Sequence, residues 1–437
     1  MKRTIVLCLV VILSAAHLFA AGSEEEGAEA PVELLWWSHY GPGTAAGDYM
    51  EVYRQQFEAQ YPNITVELNN DAHETYIQSL PTAIASGEAP DVFAQTYRYI
   101  PTYHENGSLA PVGQVALQEF GAASIAEFEQ QWAPNVLDAY RVGDNRYGLP
   151  FEYNIYAWGI NTRHFREAGL DPVADAPKTW DDVIRVGKLL VQTDGGRITR
   201  EAVAFPFDLS AAWYLLEFEH MVRELGGSVM NADQSECIVN SEAGIRAMQE
   251  LKRRFDEGIS DPDLSSISDY HNTAFPNGEF SMGIMGNWGQ QRWYNTENFP
   301  GNSPGDFMAI PTPTFAGKEP ATSTTGWAWV VFGDTDLEAE AWRLAHFLTS
   351  FPSENLIEVG SIVPRAGWST TEGAKSIPDA DLFEDMLQYS APLAAYTKYA
   401  EVSEPLKRMI QEVLLSGRDI RESLDKAKAE IDQAIKD

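Results

Sequence analysis

Cysteine is almost absent from this chain of 437 residues, which contains only Cys8 and Cys237. Cys8 lies in an apolar amino-terminal run that we expect to be removed, so no disulfide is expected within the mature chain. A catalytic thiol needs a positioned histidine, and no sequence signature supplies one. We therefore interpret Cys237, in the run Cys237-Ile238-Val239, as an inert thiol buried in a strand.

Basic residues are also scarce, with 31 lysines and arginines against 64 aspartates and glutamates and a formal net charge of −33. Nucleic acids and anionic membranes need basic patches, so neither is expected as a partner. The acidity is typical of an exported protein that charge keeps in solution. An acidic cleft for a cationic ligand is the alternative interpretation.

Metal and nucleotide signatures are missing as well. None of the histidines has an i,i+4 or cysteine-paired spacing, so we expect no metal. His39 is instead interpreted as a loop residue or as a hydrogen-bonding partner of a ligand. The spacing of Gly41 and Gly43 matches neither nucleotide-binding fingerprint, and there is no Gly-Lys-Ser/Thr. These absences predict a protein without a cofactor or a catalytic metal.

The amino terminus has the pattern of an export signal. Met1-Lys2-Arg3 is basic, the run from Ile5 to Ala16 is apolar but too short to span a bilayer, and small residues follow. We predict a signal peptide over residues 1–21 and a disordered lead-in over residues 22–31. Ser23 stands where a lipoprotein would carry a cysteine, so we expect no lipid anchor and a soluble periplasmic or extracellular protein.

The residues after the lead-in predict strands that alternate with helices. A strand from Val32 to Trp37, a helix over about 44–60 and a strand from Ile64 to Leu68 form a βαβ unit, which implies a parallel sheet. In the stretch Ser86-Gly87-Glu88-Ala89-Pro90, the glycine ends a second helix and the proline prevents it from resuming. A short buried strand over 91–94 follows.

Three polar or aromatic residues are predicted at or just beyond the carboxyl ends of these strands. Ligands bind there in open α/β sheets, because the loops diverge and leave a crevice. Trp37, Tyr40 and Gln95 are therefore candidate ligand contacts.

The middle of the chain has clear helix and turn signals. Thr179 and Asp182 have the spacing of a capping box at the start of a helix. A turn at Asn277-Gly278 precedes a buried strand over 280–285, and Trp288 is presented beyond that strand. Because a flat aromatic ring offers a large apolar face and costs little side-chain entropy to order, Trp288 is the strongest single candidate for a ligand contact. A tryptophan of the core is the alternative.

Several of these segments together resemble the extracellular solute-binding proteins of ABC importers, in the branch that mostly carries sugars. The resemblance covers nearly the whole mature chain and rests on the order of its segments. They are Phe57…Tyr61-Pro62-x-Ile64-x-Val66, Ser86-Gly87-x-x-Pro90-Asp91-Val92, Gly148-Leu149-Pro150, Pro177-Lys178-Thr179-Trp180-Asp181-Asp182, the run from Phe275 to Trp288, Thr324 to Phe332, and Gly360 to Arg365.

The resemblance implies a two-lobed α/β fold of the type II periplasmic-binding-protein class, similar to maltose-binding protein. Each lobe would contain a mixed sheet flanked by helices, and three segments would cross between them. Lobe 1 would comprise residues 32–152 and 327–364, and lobe 2 residues 153–326 and 365–437. The implied partners are a carbohydrate and the membrane subunits of an ABC permease, with the binding protein itself a monomer.

Further ligand contacts are expected: the resemblance implies some in the crossings, Trp213 could stack on a sugar, and Asn287 is a polar candidate for sugar hydroxyls. Arg365 is interpreted as a donor to sugar hydroxyls or as the partner of a carboxylate such as Glu152. Each of these residues also has an ordinary structural interpretation. The residues are Glu152, Tyr153, Trp213, Asn287, Trp327 and Arg365.

Two other functions stay open at this point. A binder of another solute, such as a polyamine, would use aromatic faces with carboxylates at both ends of the cleft. A secreted glycan-active enzyme would use two carboxylates, but nothing in the pattern identifies a nucleophile or a base. We expect a mono- or oligosaccharide-binding protein without enzymatic activity.

Overall fold

The computed structural model describes residues 30–133, 136–207, 210–264, 270–289, 293 and 299–436. The predicted signal peptide over 1–21 and most of the lead-in over 22–31 lie outside this part of the chain.

Strands form the framework of the molecule. They are β1 (Val32–Ser38), β2 (Ile64–Asn70), β3 (Val92–Thr96), β4 (Arg141–Val142), β5 (Asn145–Arg146), β6 (Leu149–Asn161), β7 (Gln192–Asp194), β8 (Arg197–Val203), β9 (Phe280–Gly286), β10 (Phe307–Ile310), β11 (Thr322–Val331) and β12 (Ser390–Pro392).

Helices in both halves of the chain pack against these strands. They are α1 (Ala45–Gln60), α2 (His73–Ser86), α3 (Ile100–Glu105), α4 (Gln114–Glu119), α5 (Ile125–Glu129), α6 (Thr162–Glu167), α7 (Trp180–Leu190), α8 (Ala211–Glu224), α9 (Glu242–Asp256), α10 (Phe275–Asn277), α11 (Glu338–Leu348), α12 (Pro352–Glu358), α13 (Ala380–Met386), α14 (Tyr399–Ser416) and α15 (Ile420–Ala434). No helix within these described ranges combines the length and the apolar character needed to cross a bilayer.

Ten strands form one continuous mixed sheet in the order β2-β1-β3-β11-β6-β9-β8-β7, with β10 on β6 and β12 on β11. The pairs β1–β2 and β1–β3 are parallel, as the βαβ pattern predicts, whereas β11 runs antiparallel to β3 and β6. The two long strands β6 and β11 link the halves of the sheet. Their central register therefore decides what lies between the lobes.

The buried side chains divide into two cores. The lobe 1 core takes its members from Leu34 to Phe151, from Ala328 to Leu348, and from Val359 and Val363. The lobe 2 core takes its members from Ile155 to Ile310, from Leu356 and Ile362, and from Ala374 to Ile431. Burial of apolar area stabilises each core by roughly 25 cal/mol per Å². The chain passes between the cores at β6, at β11 and near Ile362.

One local prediction needs correction. Cys237 is fully buried, and burial raises the pKa of its thiol to about 11, as expected for an inert cysteine. Cys237 is not part of a strand, however, because it forms only an isolated bridge with Met230. The apolar run 237–239 is too short to pair further and leads directly into the start of α9.

Candidate functional site

The register of the two long strands brings five polar and aromatic side chains into one row. Glu152 lies opposite Trp327, and Asn154 lies opposite Thr325. Because side chains alternate across a strand, Glu152, Asn154 and Tyr156 project from the same face of β6. The Tyr156 hydroxyl lies 3.1 Å from Thr325 Oγ1. We call these five residues the crossing row, since they lie where the strands pass from the lobe 1 core to the lobe 2 core.

Glu152 is the charged member of the crossing row. The Tyr40 hydroxyl donates to its Oε2 at 2.9 Å, and Asn154 Nδ2 donates to its Oε1 at 2.8 Å. His39 Nε2 lies 3.7 Å from Glu152 Oε2, and the Glu152 side chain is 14% exposed. Burial alone raises the pKa of this carboxyl, but the interactions with His39, Asn154 and Tyr40 outweigh burial and lower the pKa to about 2. Glu152 is therefore ionised at neutral pH and can accept hydrogen bonds.

Tyr40 connects this carboxylate to a third segment of chain. Its hydroxyl also lies 3.2 Å from Ser361 Oγ, and Ser361 belongs to the passage near Ile362. The loop after β1, the strand β6 and the passage near Ile362 thus meet around one carboxylate. Residues far apart in sequence hold Glu152 in place.

Aromatic rings on the lobe 1 side of the row form a stack. The Trp327 ring stacks on His39 with centroids 4.1 Å apart and planes 17° apart. His39 in turn stacks on Tyr40 at 4.6 Å. His73, at the start of α2, approaches Trp327 edge-on at 5.5 Å. The Trp327 and Tyr40 rings are half-buried. Beside an ionised carboxylate, they offer both a flat apolar face and a hydrogen-bond acceptor.

Three rings also meet on the lobe 2 side. Tyr156 contacts Trp288 edge-on at 5.3 Å and Trp213 edge-on at 6.0 Å, and the two tryptophan rings lie 6.5 Å apart. Trp213 comes from the first turn of α8, and Trp288 follows β9. Both tryptophans are half-buried. Of the candidate residues, the structure thus brings together Tyr40, Glu152, Trp213, Trp288 and Trp327.

Three other candidate residues lie outside this group. Gln95 is 4% exposed, and its amide oxygen accepts from the Thr96 N–H at 2.8 Å. Asn287 is buried, and its Oδ1 accepts from the Ile155 N–H at 2.9 Å, which ties β9 to β6. Trp37 is half-buried and packs against the lobe 1 core. Each has a structural task in the fold.

Tyr153 and Arg365 also lie apart from the crossing row. Tyr153 packs against both cores, and its N–H donates to the Ile362 carbonyl at 2.9 Å. The Arg365 guanidinium lies 4.7 Å over the Trp132 ring, with Nη2 3.4 Å from Gln131 Oε1. The predicted pairing of Arg365 with Glu152 is therefore wrong, because the passage near Ile362 turns Arg365 toward Trp132 in lobe 1.

Sequence reasoning missed several residues that contact the group or belong to it, among them His73, Asn154, Tyr156, Thr325 and Ser361. The alternation of Glu152, Asn154 and Tyr156 is visible in the sequence and could have identified the face of β6 that carries the crossing row. Thr325 and Ser361 could not be found in this way, because their positions depend on pairing between distant segments.

Gly326 allows the close approach of the two long strands. A Cβ atom at this position would lie 2.6 Å from the Glu152 carbonyl oxygen and 2.9 Å from the Tyr140 hydroxyl. We expect Gly326→Ala to push β11 from β6 and to lower the free energy of unfolding by about 1–3 kcal/mol, measured by chemical denaturation. Gly301→Ala is the control, since nothing lies within 4 Å of its added methyl group. Equal stability of the two variants would contradict this account of Gly326.

Two α/β lobes that share long strands, with polar and aromatic side chains gathered where those strands cross, define a two-lobed binding protein. Residues 41–351 match the family model described as bacterial extracellular solute-binding protein. The chain therefore belongs to the bacterial extracellular solute-binding proteins, and the predicted type II fold is confirmed.

Similar proteins span almost the whole chain. A binding protein of Brucella abortus is 23% identical over 390 residues, which cover 88% of this chain and 85% of that protein. The GacH receptor of Streptomyces glaucescens, solved unliganded and with acarbose, has a TM-score of 0.78 at 17% identity and covers 94% of this chain and 100% of its own. A solute-binding protein from Thermotoga lettingae bound with α-D-tagatose has a TM-score of 0.77 at 23% identity, with coverages of 92% and 99%.

Proposed function

We propose that this protein captures a mono- or oligosaccharide in the cleft between its lobes and delivers it to the membrane subunits of an ABC permease. The observation that carries the proposal is the ionised Glu152, held between the ring stack of Trp327, His39 and Tyr40 and the rings of lobe 2. A sugar presents hydroxyl donors along its edge and C–H groups on its faces. The crossing row offers acceptors for the hydroxyl groups and aromatic rings for the C–H faces.

Two structural neighbours support this class of ligand. The Streptomyces receptor was solved with acarbose and the Thermotoga protein with tagatose. Both align over nearly the full length of this chain, so their ligands are reasonable starting points for a search.

The division into lobes is part of the same proposal. We place lobe 1 at residues 32–152 and 327–364 and lobe 2 at residues 153–326 and 365–437. Most members of the two cores support this division, although Leu356 and Ile362, within 327–364, pack in the lobe 2 core. Ligand contacts from both lobes would favour a closed arrangement, and a permease would distinguish closed from open. The protein would act as an exported monomer that binds its ligand without converting it.

Thermal unfolding of the mature protein against a panel of sugars tests the proposal. A ligand that binds only the folded state raises the midpoint with increasing concentration. We expect one class of sugar to give a saturable shift and Trp288→Ala to lower the affinity about 10-fold to 100-fold, because an apolar packing surface is lost. Tyr61→Ala, at the far end of α1, is the matched control and should bind as the parent does.

Two other results would redirect the proposal. A shift with spermidine alone would favour a cationic solute, with Glu152 beside Trp327 as its site. No shift with any sugar would leave the fold unchanged and remove the support for a carbohydrate ligand.

A further inference from the structure

Arg98 lies at the lobe boundary beside the crossing row. It follows β3 in a short turn, Tyr97–Tyr99. Its guanidinium lies 5.4 Å over the Tyr97 ring and 5.5 Å over the Tyr399 ring. Tyr97 belongs to the lobe 1 core and Tyr399, the first residue of α14, to the lobe 2 core. Arg98 is therefore held between one ring from each lobe.

The charge of Arg98 acts on the crossing row. Burial raises the pKa of the Tyr156 hydroxyl to about 12, while its hydrogen bond with Thr325 and the nearby Arg98 cation act in the opposite direction. Tyr156 is also the residue that contacts both Trp213 and Trp288. A ligand lying along the row would thus reach the surroundings of Arg98 at one end and Glu152 at the other.

Arg98 has no anionic partner in the part of the chain that the structure describes. Its Nε and Nη1 are buried and make no hydrogen bond, and its side chain hydrogen-bonds to the Tyr97 side chain, not to a carboxylate. Glu219 is close enough for its pKa to respond to Arg98, but its oxygens accept from the Tyr396 hydroxyl and the Ala394 N–H. The chain has about twice as many acidic as basic residues, so the lack of an ion pair at Arg98 does not come from a shortage of carboxylates.

A buried cation without a counter-charge is costly, and an anion that supplies the charge and the hydrogen bonds missing at Nε and Nη1 offsets that cost. Because Tyr97 and Tyr399 belong to different cores, parting of the lobes would uncover the guanidinium, and closure would enclose it again. An ion pair formed there would be shielded from water, where charge-assisted hydrogen bonds are strongest. Such a pair would favour the closed arrangement.

We infer that the ligand is a saccharide with an anionic group and that Arg98 binds this group. The inference rests on the proposed function and narrows it to acidic sugars, since sugar hydroxyls alone would leave the cation without a counter-charge. Glu152, at the other end of the row, would accept from the hydroxyls. A sugar carboxylate and a sugar phosphate share this chemistry, and the experiment separates them.

The test is isothermal titration calorimetry of the full mature chain with matched ligands: galactose and glucose, galacturonate and glucuronate, their oligomers, and the corresponding sugar phosphates. We expect an acidic member to bind at least 10-fold more tightly than its neutral counterpart. Arg98→Gln should reduce that ratio to about one, and Arg98→Lys, which keeps the charge, should preserve part of it. Arg408→Gln removes an equal charge from the exposed face of α14 and should leave the ratio unchanged.

The ratio of the affinity for the acidic sugar to that for the neutral sugar separates a role of Arg98 in recognition from a merely structural one. If Arg98→Gln lowers the affinities for neutral and acidic sugars equally, Arg98 only joins the lobes and the inference is wrong. Preference of the parent protein for the neutral sugar would also overturn it, while the proposed carbohydrate function would stand. Absence of binding to every saccharide would overturn both. The preferred acid identifies the group as carboxylate or phosphate.

Discussion

Replacing Glu217 by alanine lowers the free energy of unfolding by about 3–5 kcal/mol, as expected when one partner of a buried ion pair is removed. Arg254 Nη1 donates to Glu217 Oε2 at 2.8 Å, and the two side chains are only 2% and 7% exposed. The variant would leave a guanidinium inside the lobe 2 core without its carboxylate. Chemical denaturation followed by far-ultraviolet circular dichroism measures the loss.

An exposed ion pair supplies the control for this prediction. Arg408 and Glu430 lie 2.7 Å apart but are 53% and 38% exposed, so Glu430→Ala should cost less than about 1 kcal/mol. Replacing both buried partners together, as Glu217→Leu with Arg254→Met, should recover much of the stability, because no charge is left unpaired. A loss below about 1 kcal/mol for Glu217→Ala would show that water reaches the guanidinium.

Features set by neighbouring residues could be predicted from the sequence. Thr179 and Asp182 form the expected capping box at the start of α7. Gly87 ends α2 with a φ of 80°, and Gly278 has a φ of 75° in the predicted turn before β9. Such interactions join residues within a few positions of one another. Residue identity and spacing are then enough to define the geometry.

Asp91 shows what local reasoning leaves out. It stands in the stretch that carries much of the family resemblance, yet its role follows from contacts with two distant segments. Its Oδ2 accepts from the Leu35 N–H at 2.8 Å, and its Oδ1 accepts from the Thr335 hydroxyl at 2.5 Å. The carboxylate thus joins β1 to the turn after β11. No spacing within residues 86–95 could reveal either contact.

The candidate site likewise combines residues that the sequence identifies with contacts that depend on distant segments. Trp327 and Glu152 were identified from the segments that contain them, but their pairing depends on the register of β11 against β6. The stack of Trp327 on His39 joins residues almost three hundred positions apart. The partner of Arg365 cannot be predicted in this way, because the direction of its side chain depends on how the last passage between the lobes packs. Arg98 has no sequence signal either, since a cation without a counter-charge can be recognised only from its surroundings.

Replacing Glu152 by glutamine should lower the affinity for the saccharide about 10-fold to 100-fold. A hydrogen bond to a charged acceptor contributes about 1.5–3 kcal/mol, and the amide also places a donor where Tyr40 or Asn154 donates. Calorimetry with the sugar identified in the panel measures the change. Glu167→Gln, on an exposed carboxylate that pairs with Arg200, is the control and should bind normally.

The pH dependence provides an independent check on the same residue. Because the folded-state pKa of Glu152 is lowered from 4.5 to about 2, its contribution to stability is present above pH 4.5 and is lost as the pH falls toward 2. The carboxylate stays ionised between pH 8 and pH 4, so the contribution of Glu152 to sugar binding should not change over that range. In Glu152→Gln, the part of acid unfolding due to this group should disappear. If affinity instead falls between pH 5 and pH 4 in the parent and not in the variant, the hydrogen bonds of Glu152 do not hold its pKa down, and the ionised acceptor at the centre of the proposed site is lost.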